Sequence, residues 1–197
     1  MTELSSLLFP IVAATVVVFI LSFVFWVLIA RWHQPDVQFC PEQEGLLKAL
    51  KDLGIKPGNY MFPNCADLKD WKSDEFKALC EAGPWGTLNL WPSKSNMGKN
   101  LALTFVAFLI TTLFVGYITS LAHAPGAGFL EVFRVSATAA MAVYVLGGLS
   151  NAIWFGKPMR FIITDSVDGV IYALVTGAVF GFLWPALSTG APANPMG

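Results

Sequence analysis

The first apolar stretch of the chain, residues 8–30, contains no charged side chain and is long enough to cross a bilayer as a helix. Three similar stretches follow, at residues 101–122, 134–154 and 164–187. Charged residues make up only 13% of the chain, and most of them lie between residues 31 and 99. The sequence therefore predicts an all-α membrane protein, a bundle of four transmembrane helices.

The charged region predicts a polar insert between the first and second spans. Apolar side chains at helical spacing predict two amphipathic helices, at residues 42–53 and 67–82. Alternating side chains predict two strands, at residues 59–62 and 87–91, which could pair. We expect a small α+β subdomain that rests on the membrane. The chain then divides into a tail and first span, the insert, spans two to four, and a disordered tail, at residues 1–30, 31–99, 100–187 and 188–197.

Small residues recur every fourth position along the fourth span, at Gly169, Ala173, Gly177 and Gly181. Small residues let helix backbones approach closely in a bilayer, where packing drives association. The second span carries a similar small face, at Thr112, Gly116 and Ser120. We expect the stripe on the fourth span to bind a helix, either the chain's own second or third span or one from another subunit. Gly177→Leu should then separate the helices, and Gly177→Ala should cost far less.

The distribution of basic residues predicts the orientation. One side of the membrane would hold five basic residues near the span ends, namely Arg31, Lys94, Lys99, Lys157 and Arg160, whereas the other side would hold only Arg134. Because basic residues are retained in the cytoplasm, the insert should be cytoplasmic and both termini outside. The net charge of −1 gives the chain no basic face for nucleic acid.

No catalytic or cofactor motif occurs in the sequence, which has no glycine-rich phosphate loop, HExxH or GxSxG. Cys40, Cys65 and Cys80 are spaced by 25 and 15 residues, which matches neither a CxxC pair nor a zinc pattern. We therefore expect reduced thiols that are dispensable for folding, with no metal and no cofactor.

Two acids and a small cationic group are the remaining candidate site residues. Asp165 and Asp168, beside the fourth span, could be catalytic or could relay protons, but we expect them to cap the first turn of its helix. Trp154, Lys157 and Arg160 should bind an anionic lipid headgroup, with a phosphate-bearing ligand as the alternative.

Five short motifs in the same order resemble a family of small uncharacterised bacterial membrane proteins. These are Trp32-His33, Gly58-x-Tyr60-x-Phe62-Pro63, Gly83-Pro84-Trp85-Gly86, Met97 before the second span, and Trp154-Phe155-Gly156-x-Pro158. The resemblance implies a four-span architecture with one polar insert, in the bacterial inner membrane, and it supplies no activity.

Three functions are open at this point. The first is a non-enzymatic accessory or scaffolding subunit of a membrane complex, whose grooved fourth span binds a partner helix. The second is a small oligomeric channel or transporter. The third is a membrane enzyme that uses Asp165, Asp168 or the cysteines. Stable foreign subunits in a native purification would favour the first.

Overall fold

The computed structural model describes residues 2–29 and 31–187. The first span and the insert form its N-terminal half. A 3-10 turn at Leu4–Leu7 leads into helix α1, Leu8–Phe23, and a π-helical segment, Val24–Leu28, completes the first span. The insert contains α2 (Gln43–Asp52), β1 (Gly58–Phe62), α3 (Asp74–Ala82) and β2 (Gly86–Leu90). The predicted disordered tail, 188–197, lies outside the described residues.

The other three spans follow the insert without a long break. The second is α4, Met97–Ala122, and the fourth is α7, Met159–Leu183. The third consists of α5 (Phe129–Met141), a π-helical segment (Ala142–Leu146) and α6 (Gly147–Trp154). Four helices of the described chain are thus long and apolar enough to cross a membrane, as the hydropathy predicts.

The third and fourth spans begin earlier than predicted, at Phe129 rather than residue 134 and at Met159 rather than residue 164. The fourth helix starts directly after Pro158, and no side chain caps it. Asp165 and Asp168 therefore lie in its second and third turns, so the prediction that they cap its first turn is wrong. The predicted start lies after Arg160 because a charged residue is not expected inside a span. Arg160 nevertheless lies inside the helix, where it pairs with Asp36.

The insert has no core of its own. β1 and β2 pair antiparallel, with Tyr60 opposite Leu88, which confirms the predicted two-stranded sheet. The predicted helix over residues 67–82 is interrupted at Ser73. The Ser73 hydroxyl accepts a hydrogen bond from the Phe76 amide at 3.1 Å and so caps the start of α3. None of residues 37–100 is buried. A two-stranded sheet with two short helices and no buried side chain is marginally stable by itself.

The buried residues of the four spans concentrate at the end away from the insert. They come from the start of the first and third spans and from the end of the second and fourth, and include Leu7, Ile11, Ala14, Val115, Val132, Ala140, Ala173, Phe180 and Trp184. A hydrogen bond of 2.7 Å between the hydroxyls of Thr15 and Thr112 joins the first two spans. The four helices are thus closely packed at this end.

The small-residue stripe of α7 lies against the third span. A Cβ added at Gly169 would lie 2.6 Å from the Tyr144 carbonyl oxygen, and one at Gly177 would lie 2.7 Å from the Ala137 Cβ. The chain itself therefore fills the groove, and the side chain of Gly177→Ala would also meet a close contact, as that of Gly177→Leu would. Gly116 of the second span faces Ile11 and Phe180 instead.

Candidate functional site

A buried histidine joins the exit of the first span to the fourth span. After that span the chain turns back through a 3-10 turn, Gln34–Asp36, which leaves His33 only 5% and Asp36 only 9% exposed. The imidazole Nδ1 of His33 lies 2.9 Å from Asp36 Oδ2, and its Nε2 lies 2.8 Å from Asp168 Oδ2. Asp168 is on α7, roughly 14 Å along the axis from the first residue of that helix.

The contacts of His33 with Asp36 and with Asp168 determine how many protons these three side chains need. An ionised carboxylate only accepts hydrogen bonds, so each contact needs one proton. When both carboxylates are ionised, both ring nitrogens of His33 donate and the imidazole is a cation. This arrangement satisfies the ring completely, and a buried charge needs such pairing.

Arg160 and Thr164 of α7 complete the surroundings of Asp36. The Thr164 hydroxyl donates to Asp36 Oδ2 at 2.7 Å, and Arg160 Nε lies 3.2 Å from Oδ1 as an ion pair. Arg160 Nη2 also donates to the Trp32 carbonyl at 3.0 Å. Burial alone would raise the pKa of Asp36, but the hydrogen bonds from Thr164 and His33 and the charge of Arg160 hold it below the ordinary value of 3.8.

The second oxygen of Asp168 is also occupied. Trp32 Nε1 donates to Asp168 Oδ1 at 3.1 Å, so both carboxylate oxygens have partners. The two nitrogens of His33 point in opposite directions, which prevents the two acids from converging with the ring on one ion. Within the described residues no group of three or more metal-ligating side chains could hold a metal ion. The cluster of His33, Asp36, Thr164, Arg160 and Asp168, hereafter the His33 clamp, therefore acts as a connection between segments.

The indole of Trp26 connects the clamp to a cavity between the four spans. It stacks on His33, with ring centroids 3.9 Å apart and planes 3° from parallel. Trp26 also lines a cavity of 470 Å³ in the half of the structure nearest the insert. Trp26 lies in the π-helical segment of the first span, and Tyr144, across the cavity, lies in that of the third. Such segments are frequent at functional sites.

Three aromatic rings close the inner end of this cavity. Phe108, Tyr144 and Tyr172 pack edge to face, with centroids 5.9 to 6.0 Å apart. The hydroxyls of Tyr144 and Tyr172 are buried and make no hydrogen bond to any described residue. Thr176 lies near the Tyr144 hydroxyl and Asp168 near the Tyr172 hydroxyl, although neither pair reaches hydrogen-bonding geometry.

Asp165 lies between this cavity and a second one. It lines the 470 Å³ cavity and also a cleft of 340 Å³ that contains Lys157 and Asn151. Among the described residues Asp165 has no ion-pair partner within 4.0 Å. Asp165 is therefore the acid of this region that lies outside the His33 clamp, and Lys157 is the cation in the cleft beside it.

The predicted lipid-headgroup residues have separate environments. Arg160 is committed to the His33 clamp, and Lys157 Nζ lies 4.2 Å from the centroid of the Phe161 ring. Trp154 is 79% exposed.

Cys40, Cys65 and Cys80 are half-buried free thiols.

Sequence reasoning missed His33 and Asp36 as site residues. His33 and Asp36 are three residues apart and directly follow the first span. The sign available in the sequence was Asp168, because an acid inside the fourth span indicates a partner or a function.

The four long apolar helices are those of a multi-pass membrane protein. No protein-family model, curated protein or solved structure matches the chain. Its function is therefore argued from the site alone.

Proposed function

We propose that the chain is a small membrane transporter that binds its ligand in the 470 Å³ cavity. The observation that carries this proposal is a cavity inside the four-helix structure, lined by the unpaired carboxylate of Asp165, while the opposite end is closely packed. Ligand sites commonly lie between the helices of bundles and combine apolar walls with a few polar groups. Two π-helical segments beside the cavity supply places where the first and third spans could bend.

The membrane placement is part of the same proposal. The four helices cross the bilayer as a bundle, and the insert lies on the cytoplasmic surface with both termini outside. The excess of basic residues on the insert side supports this orientation. The resemblance to small bacterial membrane proteins supports the inner membrane.

Thiol accessibility tests the transporter proposal. In a variant with Cys40, Cys65 and Cys80 changed to Ser, a single cysteine is introduced at Thr104, which lines the cavity, or at Thr119, which is buried at the packed end. In proteoliposomes, a membrane-impermeant thiol reagent should label T104C from the insert side. It should label T119C more slowly and from the other side, because a transporter must open there.

Leu103→Cys is the matched control, because Leu103 is 57% exposed on the outer surface of α4 and should face lipid. It should resist the water-soluble reagent from both sides. Labelling of T104C with no reaction of T119C from either side would show a pocket with one opening and contradict the transporter.

An accessory or scaffolding subunit is the second candidate, and the insert favours it. Large apolar side chains of the insert are exposed, among them Leu68 at 81%, Trp85 at 67% and Trp91 at 65%. Large exposed apolar side chains are suited to contact with a protein partner or with the membrane surface. Purification in mild detergent tests this candidate: stoichiometric foreign subunits, lost on Leu68→Ser, would support it, and their absence would count against it.

A further inference from the structure

Asp165 is the one charged side chain among the described residues that line the 470 Å³ cavity. The acids of the His33 clamp, Asp36 and Asp168, have partners in Arg160 and His33. The Asp165 side chain is accessible to solvent and so to a ligand. A carboxylate as the one charge of a cavity wall attracts a cation, so the cavity favours a cationic ligand.

Lys157 is the nearest candidate for an internal counter-charge to Asp165. It lines the 340 Å³ cleft on the other side of Asp165 and its Nζ rests above the Phe161 ring. Lys157 is absent from the lining of the larger cavity. On the side of Asp165 that borders the 470 Å³ cavity, the described residues therefore supply no cation.

The other walls of the larger cavity suit an organic cation better than a metal ion. Trp26, Phe108, Tyr144 and Tyr172 supply aromatic rings, and ring faces attract ammonium groups, the more so where water is excluded. A metal ion would instead need several oxygen or nitrogen ligands, and among the described residues Asp165 is the only carboxylate that lines this cavity. The unpartnered Tyr172 hydroxyl, on a side chain only 7% exposed, adds one acceptor for an N–H donor.

We propose that the 470 Å³ cavity binds an amphipathic organic cation, with its ammonium group at Asp165 and its apolar body against the aromatic rings. The proposal rests on the proposed function for the cavity as a ligand site, and it adds the chemical class of the ligand. Selectivity for charge would come from Asp165, and selectivity for an apolar body would come from the four rings.

A pair of isosteric probes tests this proposal. Benzyltrimethylammonium and neopentylbenzene have the same shape and differ by one positive charge. Binding of each is measured by equilibrium dialysis against the full-length protein in nanodiscs. We expect saturable binding of the cation and weaker binding of the neutral probe. Asp165→Asn should weaken cation binding by about tenfold, because it removes the attraction between the carboxylate and the ammonium group.

Two further variants serve as controls. Asp70→Asn removes an exposed acid of the insert and should leave binding unchanged. Asp165→Glu keeps the charge and should retain most of the binding, so a loss in Asp165→Asn alone identifies the charge as its cause. Thermal melting of each variant checks that it is folded.

Equal binding of both probes with no effect of Asp165→Asn would overturn the organic-cation proposal. The thiol-accessibility result could still support a transporter in that case, so the two failures are distinguishable. No saturable binding of either probe to the folded parent would overturn the proposal as well.

Discussion

His33 lies between two buried carboxylates, and each of them keeps its other oxygen near a second donor or cation. Removing the imidazole would leave Asp36 and Asp168 buried and underpaired. We therefore predict that His33→Ala lowers the free energy of unfolding by about 3 kcal/mol, as breaking a buried ion pair usually does. Unfolding in mixed detergent micelles measures this change.

Gln34→Ala is the matched control, because Gln34 is the exposed neighbour of His33 and should change stability little. A double-mutant cycle of His33→Ala with Asp168→Asn should show a coupling of about 1 kcal/mol or more. Strict additivity of the two changes would mean that the contact between His33 and Asp168 contributes nothing to stability.

The pH dependence of stability should reveal how much the ionised Asp36 carboxylate contributes to it. Its folded-state pKa lies below the unfolded value of 3.8, so its contribution to stability is fully present above pH 3.8. The contribution is lost as the pH falls through the lower folded-state pKa. We predict that the difference in melting temperature between the parent and Asp36→Asn is constant from neutral pH to about pH 4 and then shrinks in more acidic buffer. A difference that disappears near neutral pH would contradict this assignment.

The sequence could not predict the His33 clamp, although it contained partial signs of it. The contact between His33 and Asp168 spans 135 positions, and no local pattern reports such a pairing. Asp168 looked like a cap only because the helix was expected to start at residue 164. With the start at Met159, the same acid is an ionisable group inside a span, which points to a partner or a function.

At the scale of the elements, the close approach of α7 to the third span depends on Gly177. A Cβ there would lie 2.7 Å from the Ala137 Cβ and 3.1 Å from the Phe133 carbonyl oxygen. We predict that Gly177→Ala lowers the free energy of unfolding by about 1–3 kcal/mol, the usual cost of overpacking, and that Gly177→Leu costs more. Melting in detergent measures both changes.

Gly148→Ala is the control for this series, since Gly148 lies in α6 of the third span and a Cβ there meets nothing within 4 Å. It should be neutral or slightly stabilising, because Ala favours helix over Gly. An unaltered melt for Gly177→Leu would show that the stripe does not hold the two spans together.

Hydropathy predicted that four spans exist, but it did not predict where they end or bend. Apolar side chains report burial in lipid, so they detect the middle of a span reliably. Arg160 is charged and yet lies in the first turn of α7, because Asp36 neutralises it. The π-helical segments at Val24–Leu28 and Ala142–Leu146 consist of ordinary apolar residues, and no residue type there signals the change in helix geometry.

For the molecule as a whole, the cysteines of the insert report the orientation. Cys40, Cys65 and Cys80 are free and half-buried, and the proposed orientation places them in the cytoplasm. We predict little labelling by a membrane-impermeant thiol reagent on intact cells and clear labelling after lysis. A cysteine introduced at Ser5, an exposed residue near the N-terminus, should react before lysis. Strong labelling of the native cysteines in intact cells would reverse the orientation.

The long separation between His33 and Asp168 also sets the order of events on the ribosome. At typical synthesis rates Asp168 emerges roughly 7 to 27 seconds after His33, given the 135 residues between them. During that interval the contacts open to His33 are the local ones, its stack on Trp26 and its hydrogen bond to Asp36. The contact that joins the end of the first span to the fourth span can therefore form only after the last span has been translated, so the His33 clamp is completed late.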